Sequence, residues 1–181
     1  GKTGICGVRR NEAGTLHSLV YGLAASAGID PIEKKPIFHC LPGHDSFSFA
    51  TVGCNFQCRF CQNHSISQAK ECGISGQEAL PEQLVDAAAA RGCRSISCTY
   101  TEPTVYFEYA AEVCRRAVDT GLYTVFVTNG FMTSEALDYL DGSLTCANVD
   151  LKAFDDRTYR KVIGGQLKPV LNTLERMKGR G

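Results

Sequence analysis

Apolar and polar residues alternate over 46–52 (SFSFATV) and stop at Gly53, the pattern of a strand running into a loop. Over 81–91 the period lengthens: Leu84, Val85, Ala88 and Ala89 share one face, Pro81 suits a first turn and Gly92 a stop, which predicts a helix. A short strand at 95–99 and a helix at 104–120, closed by Gly121, follow in the same manner. Residues 123–128 are apolar or β-branched throughout, as in a strand buried on both faces. A helix at 134–140, a strand at 147–151 and a helical segment at 170–178 complete the pattern. Residues 1–45 have no sustained period and many turn formers, among them Gly14, Pro31, Pro36 and Pro42. An irregular extension is expected there, with short strands near 16–21.

Strand and helix thus alternate four times with short connections, which predicts an α/β fold with a parallel sheet and right-handed crossovers. Four units are too few to close an eight-stranded barrel, and the pattern is unfinished at 178. Either the sheet is open or the chain stops before a (β/α) barrel is complete; a partial barrel truncated at the C-terminal end is the favoured expectation, with residues 1–45 as an N-terminal extension and 46–181 as an incomplete core. The chain starts at Gly1 rather than Met, so a preceding segment is expected as well.

Nineteen basic residues balance nineteen acidic ones, which argues against nucleic acid or an anionic membrane as a main partner. No apolar run approaches the ~20 residues of a bilayer span, and no signal peptide is visible. The outlying count is ten cysteines in 181 residues. Four of them, Cys93, Cys98, Cys114 and Cys146, sit in apolar stretches where a thiol acts as a small hydrophobe. A reducing cytoplasm without disulfide scaffolding is the expectation.

Three other cysteines carry the chemistry. Cys54-Asn55-Phe56-Gln57-Cys58-Arg59-Phe60-Cys61 has the spacing C-x-x-x-C-x-x-C and follows the first strand, at the end where parallel α/β sheets place their sites. Three thiolates on a tight loop can bind three irons of a cubane and leave the fourth open. Two other readings stand beside this one. His64 could complete a Cys3His zinc site with Cys54, Cys58 and Cys61, giving a structural or interaction module. An iron–sulfur electron carrier would instead need a fourth ligand within the chain.

The triplet with an aromatic residue before its last cysteine resembles the signature of the radical S-adenosylmethionine (SAM) superfamily, which implies a partial barrel of radical SAM type. The resemblance implies a [4Fe–4S] cluster on Cys54, Cys58 and Cys61, SAM on the open iron, and Phe60 near the adenine. Thr99-Tyr100-Thr101-Glu102-Pro103 stands where the family has Gly-Gly-Glu, which places Thr101 and Glu102 at the SAM amino group, with Tyr100 and Thr101 replacing the glycines. Thr128-Asn129-Gly130 is similar to a SAM-lining turn of pyruvate formate-lyase-activating enzymes, with Val127 where those carry aspartate. Asp150-Leu151-Lys152 is similar to a further motif of that group, implying Asp150 at the ribose or a cation and Lys152 at a substrate carboxylate or phosphate.

Gly4–Arg9, Asp30-Pro31-Ile32-Glu33-Lys34-Lys35-Pro36, His39–Gly43 and Cys61-Gln62-Asn63 also resemble the AmmeMemoRadiSam-system radical SAM proteins, in which Cys6 would be the last of several N-terminal cysteines. The residues themselves give Cys6, His17, His39 and His44 no partner at a readable spacing. The resemblance implies an oxidoreductase in which a low-potential donor of flavodoxin or ferredoxin type supplies one electron. SAM is cleaved, and the 5′-deoxyadenosyl radical takes a hydrogen atom from a protein or small-molecule substrate. Only Cys72 and Cys93 lie between the triplet and the second strand, so no second cluster is expected there.

Overall fold

The computed structural model describes residues 1–180. Its first three strands, β1 (Lys2–Thr3), β2 (Arg9–Glu12) and β3 (Thr15–Ser18), form a small antiparallel sheet. The side chain of Asn11 accepts from the Gly14 amide at 3.1 Å and closes the turn between β2 and β3. β4 (Leu23–Ala24) leads into β5 (Ser26–Pro31), which pairs antiparallel with β6 (Asp45–Ala50). Two short helices, α1 (His64–Ser67) and α2 (Ala69–Cys72), follow the cysteine loop, and β7 (Gln77–Glu78) returns to pair with β4.

The alternating core then runs α3 (Pro81–Ala90), β8 (Ser95–Cys98), α4 (Phe107–Asp119), β9 (Tyr123–Thr128), α5 (Ser134–Tyr139) and β10 (Cys146–Val149). It ends in α6 (Asp156–Thr158), a wide helical turn at Tyr159–Ile163 and α7 (Leu167–Lys178). The main sheet has the order β10-β9-β8-β6-β5. β6, β8, β9 and β10 are parallel, as their pattern predicts, but β5 is antiparallel, so the sheet is mixed rather than parallel. No crossover helix is needed between antiparallel neighbours, and residues 32–44 make the connection without one. The stretch expected to be irregular therefore supplies an edge strand to the main sheet and a small sheet of its own.

Element ends shift where local chemistry decides them. The helix expected from 104 begins as a tight turn over Pro103–Tyr106 before α4. α7 starts before Pro169 rather than after it, because proline in a first turn forgoes no helical hydrogen bond. β10 stops at Val149, leaving Asp150 and Leu151 beyond the strand.

The sheet has two unlike faces. On one, Phe47, Phe49, Ile96, Cys98 and Phe126 join Leu84, Val85 and Ala88 of α3 and Tyr109, Val113 and Ala117 of α4 in the main core. On the other, the register places Ser46 beside Ser95 and Ser48 beside Ser97. There Ile32 and Ile37, from the connection between β5 and β6, pack on Val125, with Cys40 and Cys146 at the margin. Cys40 and Cys146 form a disulfide across 106 residues. This corrects the expectation of free thiols: the covering segment brings Cys40 onto the last parallel strand, a contact that spacing does not reveal. Cys93, Cys98 and Cys114 are free and buried as expected. Among the described residues no helix is long and apolar enough to cross a membrane.

Phe49 is fully buried, with its ring 5.4 Å from that of Tyr109 and 6.0 Å from that of Tyr106. Phe49→Ala is expected to lower unfolding free energy by about 3–5 kcal/mol, measured by urea denaturation, since a large cavity opens between rigid rings.

Candidate functional site

The cysteine loop leaves β6 through Gly53, whose φ is +102°; a Cβ there would lie 2.8 Å from Val8 Cγ1 and 3.0 Å from the Cys6 carbonyl oxygen. Only glycine satisfies both the left-handed backbone and the close approach of the N-terminal segment. Cys6 is accordingly a buried member of the main core. Beyond the turn, the amides of Gln57 and Arg59 donate to the carbonyls of Ile163 and Val162 at 2.8 and 3.1 Å. Phe56 and Cys58 are buried in a second cluster with Tyr159, Ile163 and Val170. A Cβ on Gly165 would fall 2.3 Å from the Phe56 ring, so this glycine makes room for the loop.

Cys54, Cys58 and Cys61 line one cavity of about 610 Å³, together with Phe60, Thr101, Glu102, Thr128, Asn129, Asp150 and Lys152. Every residue that the family resemblance assigns to the cluster or to SAM meets there, whereas the candidate zinc ligand His64 does not. The ring of Phe60 is largely exposed at its edge. The His64 imidazole is exposed and stands 3.7 Å from Glu71. Among the described residues no three His, Cys, Asp or Glu side chains gather around one point as a single metal ion requires. A cubane makes a different demand, with three thiolates on three separate irons around a cavity wall. The donor set fits that group in softness and number.

The sulfurs are also provided with donors. The Phe56 amide lies 3.4 Å from Cys54 Sγ, Asn129 Nδ2 lies 3.8 Å from it, and Ser67 Oγ lies 3.3 Å from Cys61 Sγ. Asn129 also donates to Asn55 Oδ1 at 2.6 Å, tying the end of β9 to the cysteine loop. Burial, aided by the charge of Glu102, pushes the Cys54 thiol up to about 12, and burial raises Cys58 as well.

Glu102 is buried and heavily used. Its Oε1 accepts from the Thr104 amide at 3.0 Å, from the Thr104 hydroxyl and from Thr128 Oγ1 at 2.7 Å. Its Oε2 accepts from the Asn129 amide at 2.7 Å. The carboxylate thus caps the turn before α4 and ties β8 to β9, while Oε2 retains acceptor capacity for an ammonium. Burial raises its pKa, opposed by these donors. Thr101 donates to the Thr51 carbonyl at 2.8 Å. Asp150 and Lys152 pair at 3.0 Å; burial opposes the Lys152 charge, but the charge and hydrogen bond of Asp150 work against it and its pKa is raised.

A further group in this cavity had no role assigned from sequence. Asp30, at the end of β5, accepts from Lys34 Nζ at 2.8 Å, Lys35 Nζ at 2.6 Å and the Tyr100 hydroxyl at 2.5 Å. Lys35 Nζ lies 4.5 Å from the centre of the Tyr100 ring. Tyr100 holds a left-handed backbone, φ +62°, and its carbonyl accepts from Asn63 Nδ2 at 2.7 Å. Burial would raise the Asp30 pKa, but its three donors outweigh that and hold it well below the usual carboxylate range.

Residues 49–181 match the model of the radical SAM superfamily. A protein of Methanocaldococcus jannaschii described as uncharacterised is 41% identical over 181 residues, which is 100% of this chain and 54% of that protein. A second protein of the same organism, named as a glycyl-radical enzyme activating enzyme, is 25% identical over 130 residues, 72% of this chain and 48% of that protein. The chain thus spans about half the length of these relatives. The structure of TYW1 with a lysine–pyruvate adduct bound covers 81% of this chain and 56% of its own, with a TM-score of 0.56 and 21% identity, a likeness of fold.

Two outcomes test this geometry. Glu102→Gln turns an acceptor into a donor facing buried N–H and O–H groups, and is expected to cost about 1–3 kcal/mol in urea unfolding. Asp30 has a depressed folded-state pKa, so its contribution is complete above the unfolded value near pH 4 and is lost as pH falls below it. The urea midpoint of Asp30→Asn is expected to fall less than that of the parent chain between about pH 4.5 and 2.5.

Proposed function

This chain belongs to the radical SAM superfamily, and we propose that it cleaves SAM reductively and uses the resulting 5′-deoxyadenosyl radical to abstract hydrogen from a substrate. Proteins of this family use a [4Fe–4S] cluster and SAM, which supply one-electron chemistry that side chains lack. The observation that carries the reading is the opening of Cys54, Cys58 and Cys61 onto the cavity formed at the C-terminal ends of four parallel strands. The three cysteines are assigned as cluster ligands. Glu102 and Thr101 are assigned to the methionyl amine, Thr128 and Asn129 to the cavity wall beside it, and Phe60 to the adenine. Asp150 is assigned to the ribose and Lys152 to the methionyl carboxylate.

The finer reading is an activating-enzyme-like protein, supported by the relative named as a glycyl-radical enzyme activating enzyme. The parallel strands are read as part of a (β/α) barrel, and the setting as cytoplasmic, where a flavodoxin or ferredoxin type donor would deliver the electron. The reduced potential this demands is roughly −400 mV or below. The protein's own work is to hold SAM, keep water from the cavity and fix the substrate against the ribose.

Anaerobic reconstitution with iron and sulfide, reduction and electron paramagnetic resonance with and without SAM test the reading. A [4Fe–4S]⁺ signal that changes on adding SAM is expected. Replacing Cys54, Cys58 or Cys61 with Ala should abolish that change. Stoichiometric zinc, or a cluster indifferent to SAM, would overturn it.

A further inference from the structure

The cavity contains a cation that the cofactor assignments leave unused. Lys35 is 97% buried as a side chain, yet it lines the cavity with the three cysteines. Its ammonium has three N–H donors and makes one hydrogen bond, to Asp30. A buried ammonium that uses one donor of three is under-satisfied, and the face of the Tyr100 ring offers only a weak partner.

Lys34 and Lys35 share the single carboxylate of Asp30, so the cluster carries a net charge of +1. Lys152 is neutralised by Asp150 and adds nothing to this excess. The Tyr100 hydroxyl takes a further lone pair of Asp30 and fixes the carboxylate beneath Lys35. A carboxylate, with two acceptor oxygens and one charge, matches the two donors that Lys35 leaves unused, whereas a phosphate dianion would bring a second negative charge into a cavity that already holds buried Glu102.

We propose that Lys35, positioned by Asp30 and Tyr100, is the anchor for a carboxylate on the substrate. The inference rests on the reading of this cavity as the radical SAM site. The ammonium pairs with the substrate carboxylate through its two unused donors. The cysteines and Lys35 line the same cavity, so an anchored substrate shares it with the cofactor. No bond is made or broken in this step.

The test uses reconstituted, SAM-loaded protein titrated with [1-¹³C]acetate, inorganic phosphate and neutral acetamide, with binding read from NMR line broadening. Acetate is expected to bind saturably and more tightly than phosphate or acetamide. Lys35→Met should weaken acetate by at least about tenfold, and Lys35→Arg should restore most of it. The change that SAM makes to the paramagnetic resonance signal should persist in both variants. Should Lys35→Met fold poorly, the pair Asp30→Asn with Lys35→Met removes both buried charges and should show the same loss of acetate.

Acetate binding no tighter than acetamide, tighter phosphate binding, or acetate binding indifferent to Lys35→Met would overturn the proposal. Loss of the SAM response in Lys35→Met would also overturn it, by assigning Lys35 to the cofactor's own carboxylate. If SAM leaves the parent protein's signal unchanged, the radical SAM reading falls separately. The acetate titration without SAM still reads Lys35 in that case.

Discussion

The two faces of β6 govern everything built at its end. Phe47 and Phe49 point to the helices while Ser46 and Ser48 point to the opposite, equally buried face, so a shift of one residue would put serines under α3 and α4 and drive two phenylalanines into the segment that covers the other side. That cost fixes the register against β8, and with it the height at which Gly53 turns and the cysteine loop begins. The small hydroxyl side chains matter equally. They leave space on the second face for residues 32–40 to lie against the sheet, which delivers Lys34 and Lys35 to the cavity.

The loop itself is set from both sides. Val8 and the Cys6 carbonyl press on Gly53 from the N-terminal segment, and the Ile163 and Val162 carbonyls receive its amides from the other side. A wide turn supplies those carbonyls, with the Gly164 amide bonded to Tyr159 at 2.8 Å. Such i→i+5 turns arise where an α-helix cannot meet a local demand. Here the demand is two carbonyls facing a loop that has no strand partner of its own. The ligands thus sit on a loop, but a loop whose backbone is bonded at both flanks, the preorganisation that ligand sites need.

What the sequence disclosed was local. Cys54, Cys58 and Cys61 stood out because ligand spacing is a property of eight consecutive residues, and Thr101, Glu102, Thr128, Asn129, Asp150 and Lys152 because the family resemblance attaches to strand ends that the hydrophobic period makes visible; the structure brings them to one cavity. The antiparallel β5 was not legible: SAGIDP mixes glycine and proline with few apolar residues, and its partner β6 fixes its conformation. The disulfide between Cys40 and Cys146 and the bond from Tyr100 to Asp30 were hidden for the same reason. Each joins residues far apart in sequence through a sheet whose order only folding supplies.

Tyr100 shows why a departure from a family pattern can be more informative than agreement with it. Its position resembles one that glycine occupies, and its φ of +62° is the conformation glycine would take without cost. A tyrosine there incurs about 1–2 kcal/mol of backbone strain. The Asn63 side chain holds the Tyr100 carbonyl, the Thr101 hydroxyl holds the Thr51 carbonyl, and the phenol reaches Asp30, so the strained residue is secured at both backbone and ring. Strain retained at a cavity wall calls for an interaction that offsets it. The phenol's bond to the Asp30–Lys35 pair is one, and it ties the second face of the sheet to the cavity. Glycine at this position would relieve the backbone and leave the carboxylate without its phenol, and Lys35 with a less rigid partner.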